Sequence, residues 1–276
     1  MATNFPPPHI HHPQTTHPHT HTAILLHGRG SNGPEFAEEL FSSSTSKGQT
    51  LPSHLPSFRW VFPTSKDRWN SRFEEDICAW FDAYSLTDIT EHQETQVPGI
   101  RESVLYILSI LEEDIKLLDG RSTHVYLGGI SQGMATALWS WVCASERVKG
   151  RLGGVVGFCG WMPFAERVGD GNGDLDRRRR LVGFCEGVVW GEVPGDGEGS
   201  RRASMTRVLE TPVLLGHGVD DPMVPVELGR QVVGILKRAG MEVEWVEYVG
   251  AEGDGHWIKE PEGFDALLRF LMGVVE

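Results

Sequence analysis

Basic side chains are scarce in this chain of 276 residues: 25 Lys and Arg stand against 38 Asp and Glu, a formal net charge of -13 at pH 7. Binding a phosphate backbone needs a basic face, so a nucleic-acid partner is excluded. Charge alone likewise disfavours docking on an anionic membrane. Cysteine is sparse too, and Cys78, Cys143, Cys159 and Cys185 show neither CxxC pairing nor zinc-ligand spacing. Cys143 and Cys159 lie in apolar runs and are expected as buried free thiols. No run approaches the roughly 18 continuous apolar residues of a membrane helix. The first ten residues carry no basic segment followed by an apolar one, so no secretory signal is read there. Neither end carries a lipidation motif. These absences together predict a soluble, cytoplasmic protein.

What is present is a single-domain length with ordinary hydrophobic and charged content. Residues 1–18 are rich in histidine and proline, without the fixed spacing of a metal site, and are expected to be a poorly ordered lead-in. From residue 19 to 276, short apolar runs alternate with helical patterns. Strands are expected over residues 22–27 (TAILLH), 59–63, 124–128, 153–159, 212–215 and 242–249. Helices are expected over residues 99–118, 131–147, 227–239 and 262–275. Alternation of this kind makes a mainly parallel central sheet with helices on both faces. Residues 166–208, with the run Arg177 to Arg180, break the rhythm and are expected to be an irregular, solvated, polar insertion.

Gly129-Ile130-Ser131-Gln132-Gly133 matches G-x-S-x-G, a weak pattern in a chain with 33 glycines. Its context is more specific, because an apolar strand enters it and a helix leaves it. Such a strand–turn–helix junction lifts a serine hydroxyl above a sheet edge and aims helix N–H groups at a developing oxyanion. A serine needs a base, and on this architecture the chain order is Ser, acid, His. Asp220 and Asp221 follow the strand at 212–215, and spacing leaves the acid open between them, with Asp221 preferred. His256 follows the last strand and precedes the last helix. His217 competes for the role of base but precedes the acid. The turn at 26–31 (LHGRGS) brings the N–H of Arg29 forward to pair with that of Gln132 as an oxyanion hole.

Taken together, LHGRGS (26–31), AWFD (79–82), QVPGIRESV (96–104), GGISQGMA (128–135), GFCGWMPF (157–164), GHGVDDPMVP (216–225) and GHW (255–257) resemble the acyl-protein thioesterase, phospholipase and carboxylesterase family of small α/β-hydrolases. The resemblance implies a lidless, single-domain α/β-hydrolase fold. It also implies Asp221 as the acid and Arg29 and Gln132 as backbone oxyanion donors. Trp80, Phe81 and Met162 would line an acyl pocket. Arg29 stands where the animal thioesterases usually have leucine. The implied reaction is cleavage of an ester or thioester through an acyl-serine intermediate, with no metal and no organic cofactor. The implied substrates include S-acylated proteins. The alternatives are a carboxylesterase or lysophospholipase on smaller or lipid esters, and, from another class, an inactive binding protein on the same fold.

Overall fold

The computed structural model describes residues 5–168, 173–191 and 207–273. Seven strands form one sheet: β1 (His9–His11), β2 (His21–Leu26), β3 (Phe58–Phe62), β6 (Val125–Ile130), β7 (Gly154–Phe158), β8 (Val213–Gly218) and β9 (Val243–Tyr248). Their order is β1-β3-β2-β6-β7-β8-β9. Every pairing is parallel except β1 with β3. A separate antiparallel pair, β4 (Lys66–Asn70) with β5 (Glu75–Ala79), forms a hairpin.

Successive residues of a strand face opposite sides, and the packing follows that period of two. Ile24, Leu26, Leu127, Val155 and Leu215 join the core beneath α3 (Gln96–Leu117), α4 (Gln132–Val142) and α7 (Val226–Arg238). Ala23, Leu25, Trp60, Val156 and Leu214 join the opposite core. That second core lies beneath α1 (Gly33–Ser42), α2 (Leu51–His54) and α8 (Glu262–Leu271). Strands covered on both faces read as continuous apolar runs, which is why 22–27 and 153–159 were recognisable. Glycine sets the closest approaches. A Cβ on Gly128 would lie 2.3 Å from the Val156 carbonyl oxygen, so β6 and β7 pack only with hydrogen at that position.

The lead-in departs from expectation. His9–His11 pairs with β3 in the register His9–Phe62 and His11–Trp60. Ahead of it, the Phe5 ring stacks on Tyr106 at 4.2 Å, and the Tyr106 hydroxyl donates to the Pro6 carbonyl at 3.0 Å. An edge strand pairs on one side only, so adjoining prolines do no harm. The first four residues fall outside the described set.

Residues 166–208 also differ from the irregular insertion expected. Ala165–Val168 is α5 and Asp174–Trp190 is α6, whose Leu181, Val182, Cys185 and Val189 are buried in the core. Two of the run's arginines reach the end of α7. Arg177 Nη1 donates to the Arg238 carbonyl at 3.3 Å, and Arg178 donates to the carbonyls of Ala239 and Gly240. Cations there satisfy orphan carbonyls and oppose the helix dipole, which an all-solvated run would not do. Residues 169–172 and 192–206 of the segment lie outside the described residues. Among the described residues, no helix is long and apolar enough to cross a membrane.

Candidate active site

Ser131 sits where β6 ends and α4 begins, at φ 54° and ψ -122°. A non-glycine residue there is strained by about 1–3 kcal/mol, and the surroundings must impose it. They do so by close contact. The Ser131 N–H donates to the Phe158 carbonyl at 2.8 Å. Gly133 meets the main chain of β2 so tightly that a Cβ would stand 2.1 Å from the Leu26 carbonyl oxygen. A Cβ on Gly28 would lie 3.5 Å from Cβ of Ser131, so the loop that follows β2 runs directly beside the serine.

That loop carries Arg29, and His27 fixes it from below. The imidazole of His27 is fully buried and its pKa is pushed down to about 4 by burial. Its Nδ1–H donates to the Gly28 carbonyl at 2.7 Å, and its Nε2 accepts from the Ser65 N–H at 3.0 Å. The Arg29 guanidinium is directed away along the surface, donating to the Ala83 carbonyl at 3.1 Å and lying 5.3 Å from the centre of the Phe73 ring. Gln132 is the first residue of α4, directly after the serine.

The Gln132 side chain has a structural task that the sequence did not reveal. Its Oε1 accepts from the Trp80 N–H at 2.9 Å and its Nε2 donates to the Phe81 carbonyl at 2.7 Å. The Trp80 indole donates to the His27 carbonyl at 2.9 Å, and Ser103 Oγ donates to the Trp80 carbonyl at 2.6 Å. Trp80, Phe81 and Met162 are buried members of the core. Trp80 and Phe81 hold the strip behind the serine turn.

At the other end, Asp221 follows β8 and His256 follows β9. His256 Nδ1 and Asp221 Oδ2 are 2.7 Å apart. A carboxylate only accepts, so Nδ1 carries the proton and Nε2 is free to act as a base. Asp221 Oδ1 accepts from the N–H groups of Met223 (2.8 Å) and Val224 (3.0 Å). Burial alone would raise the Asp221 pKa. Hydrogen bonds from His217, His256 and Val224 outweigh it and hold the carboxyl well below the usual carboxylate range. Asp220 points elsewhere, its Oδ2 accepting from the Gly250 N–H at 2.8 Å, so it ties the acid loop to the turn after β9. His217 is fully buried, its Nε2 2.9 Å from the Val224 carbonyl oxygen and 3.3 Å from Asp221 Oδ2.

Cys159, also at positive φ (50°), closes the floor between the two loops. Its thiol lies 3.5 Å from the Tyr248 hydroxyl and 3.5 Å from the Trp257 carbonyl oxygen, and burial pushes its pKa up to about 12. Among the described residues, Cys159, Asp221 and His256 form one group of potential metal ligands, their ligand atoms within 4.8 Å of one another. Asp221 and His256 already satisfy each other in it.

The chain is similar to several known proteins. The Phospholipase/Carboxylesterase family profile matches residues 9–175. Acyl-protein thioesterase 1 of Gibberella zeae is 25% identical over 260 residues, covering 92% of this chain and 90% of that protein. Carboxylesterase SOBER1 of Arabidopsis thaliana is 25% identical over 247 residues, covering 87% and 84%. The crystal structure of Zea mays acyl-protein thioesterase 2 superposes with a TM-score of 0.65 at 25% identity, covering 97% of this chain and 98% of that one. The fold is that of an α/β-hydrolase, and the protein is an ester-hydrolysing enzyme. This chain belongs to the phospholipase/carboxylesterase family.

Proposed function

We propose that Ser131, His256 and Asp221 are the catalytic triad and that the enzyme cleaves acyl thioesters on protein cysteines. Ser131 Oγ attacks the acyl carbon while His256 Nε2 takes its proton. Asp221 holds the imidazole in that tautomer and stabilises the imidazolium. The N–H groups of Arg29 and Gln132 stabilise the oxyanion of the tetrahedral intermediate. Its collapse breaks the bond to sulfur, and His256 returns the proton to the departing thiolate. Water, activated by the same imidazole, then releases the fatty acid and regenerates Ser131. These groups complete the cycle without a metal or organic cofactor.

The observation that carries this reading is the 2.7 Å contact between His256 Nδ1 and Asp221, which leaves Nε2 as base on the edge where the strained serine turn stands. The thioester substrate rests on the similarity to acyl-protein thioesterases. A carboxylesterase acting on shorter esters is the second reading. Equal identity to SOBER1 favours it, as does the closed packing around Trp80, Phe81 and Met162.

Turnover of a palmitoyl-cysteine peptide against short p-nitrophenyl esters separates the two readings. Preference for the peptide supports the first, and preference for the short esters the second. Ser131→Ala is expected to remove at least about a thousandfold of the activity and all fluorophosphonate labelling, with thermal unfolding little changed. Wild-type-like turnover in that variant would refute the triad.

A further inference from the structure

His217 is an imidazole that the mechanism above does not use, yet it reaches the acid. It lies in β8, fully buried, with Nε2 3.3 Å from Asp221 Oδ2 and 2.9 Å from the Val224 carbonyl oxygen. Both neighbours only accept, so Nε2 carries the proton; it donates to the Val224 carbonyl, with the Asp221 oxygen close beside that bond. Its Nδ1 is buried without a hydrogen-bond partner. An unsatisfied buried polar atom costs stability and calls for a physical reason. The reason is visible on the opposite side of the ring, where α7 crosses at Gly229. A Cβ there would stand 2.5 Å from Nδ1. The helix therefore presses on the imidazole from behind and holds its other nitrogen against the acid.

We infer that His217 is a positioning residue: its Nε2–H is the second donor to the Asp221 oxygen that orients His256. A carboxylate has about four acceptor sites. In Asp221 the Oδ1 sites take the N–H groups of Met223 and Val224, and Oδ2 takes His256 on one side and His217 on the other. The acid is saturated, and its plane is fixed from two directions. His217 also tempers the charge that His256 feels. Without it the whole of the Oδ2 charge acts on the catalytic imidazole, stabilising its protonated form.

The remaining ionisable groups near this pair do not substitute for His217. Around the acid, the residue after β7 contributes the Cys159 thiol and β9 the Tyr248 hydroxyl, both with pKa values raised by burial. Behind the imidazole, β9 contributes Trp245, its ring 6.3 Å away, and Glu247. Glu247 is bound to Arg230 of α7 and to the Trp245 indole, while Glu227 of α7 pairs with the same arginine.

The inference rests on the triad assigned above, so Ser131→Ala accompanies the test. Residual turnover there would refute the triad itself, separately from His217. His217→Leu removes the donor, and His217→Gln places an amide N–H near the same point. His217→Asn is equally polar but too short to reach. In the Leu variant kcat is expected to fall by about tenfold, the scale of one charge-assisted hydrogen bond, with KM unchanged. The acid limb of kcat/KM is expected to move to higher pH by about half a unit or more. Gln is expected to restore both, and Asn to behave like Leu. If the leucine variant does not fold, the Gln and Asn pair carries the same comparison. An acid limb at the wild-type position in every folded variant would overturn the proposal, because a ring that only fills space would lower stability without moving it. Equal acid limbs in Gln and Asn would overturn it as well.

Discussion

At the serine turn the constraints are steric, whereas at the acid loop they are hydrogen bonds. Ser131 keeps its strained backbone because Gly129 and Gly133 leave no room for another path between β2, β6 and α4. Asp221 keeps its place because backbone N–H groups and two imidazoles converge on its oxygens, while Asp220 ties its loop to the turn after β9. Steric constraint is insensitive to pH and salt and fails abruptly when a methyl group is added. Hydrogen bonding to a charge is graded and depends on protonation. The same triad therefore has one end that breaks and one end that can be tuned.

The largest expected effect comes from breaking the steric end. Gly133→Ala places a Cβ 2.1 Å from the Leu26 carbonyl oxygen and 2.6 Å from that of His27, with backbone on both sides and no flexible side chain to yield. A loss of about 3 kcal/mol or more is expected, together with loss of fluorophosphonate labelling. Chemical denaturation and probe labelling of the same preparation check it. Stability near wild type would show that the turn relaxes and would undo the contrast.

Asp221→Asn comes next and acts at the tunable end. Hydrolysis is expected to drop by about 10⁴-fold, since the amide supports the wrong tautomer of His256. The fold is expected to survive, with a stability loss that depends on pH. The Asp221 carboxyl is held below its unfolded value, so its stabilising contribution is present above the unfolded value of about 3.9 and is lost as pH falls from there toward the lower folded value. The gap between wild type and Asp221→Asn in melting temperature should therefore be widest near neutrality and narrow in acid. A gap independent of pH would mean that packing, not charge, holds the loop.

The smallest effect is expected from Asp220→Ala. It removes the acceptor for the Gly250 N–H, worth about 1 kcal/mol, and loosens the link between the acid and histidine loops. A few-fold loss of activity at unchanged pH optimum would fit a tether of this kind. A loss as large as that of Asp221→Asn would exchange the roles of the two aspartates.

Much of the carboxyl edge was legible because its signals are local and redundant. The apolar runs at 22–27 and 153–159 are buried on both faces, and the G-x-S-x-G turn lies between a strand and a helix that announce themselves by period. Spacing left Asp220 and Asp221 open and the family resemblance pointed to Asp221; the structure adds that Asp221 bonds His256 while Asp220 bonds the Gly250 N–H. What stayed hidden depends on partners far off in the chain. The hairpin Lys66–Asn70 with Glu75–Ala79 opens on a polar strand whose only apolar residue is Trp69, and it is defined by its pairing. Asp174–Trp190 was obscured by four consecutive arginines and two internal glycines, although Leu181, Cys185 and Val189 recur at helical spacing. For Trp80 and Phe81 the family resemblance implied an acyl-pocket lining, and nothing in their local sequence announced a hydrogen-bonding role for their main chains. Those main chains are held by the Gln132 amide, 52 and 51 residues downstream, at 2.9 and 2.7 Å.

The short strand at His9–His11 has a practical corollary for anyone shortening the chain. Removing it would uncover the outer rim of Phe58–Phe62, a run of three aromatic side chains, a valine and one arginine, whose main-chain donors and acceptors on that side would then face solvent unpaired. Bare rims of that composition recruit other chains by adding strand to strand. A truncated preparation would self-associate while its hydrolytic centre, several strands away, stayed whole.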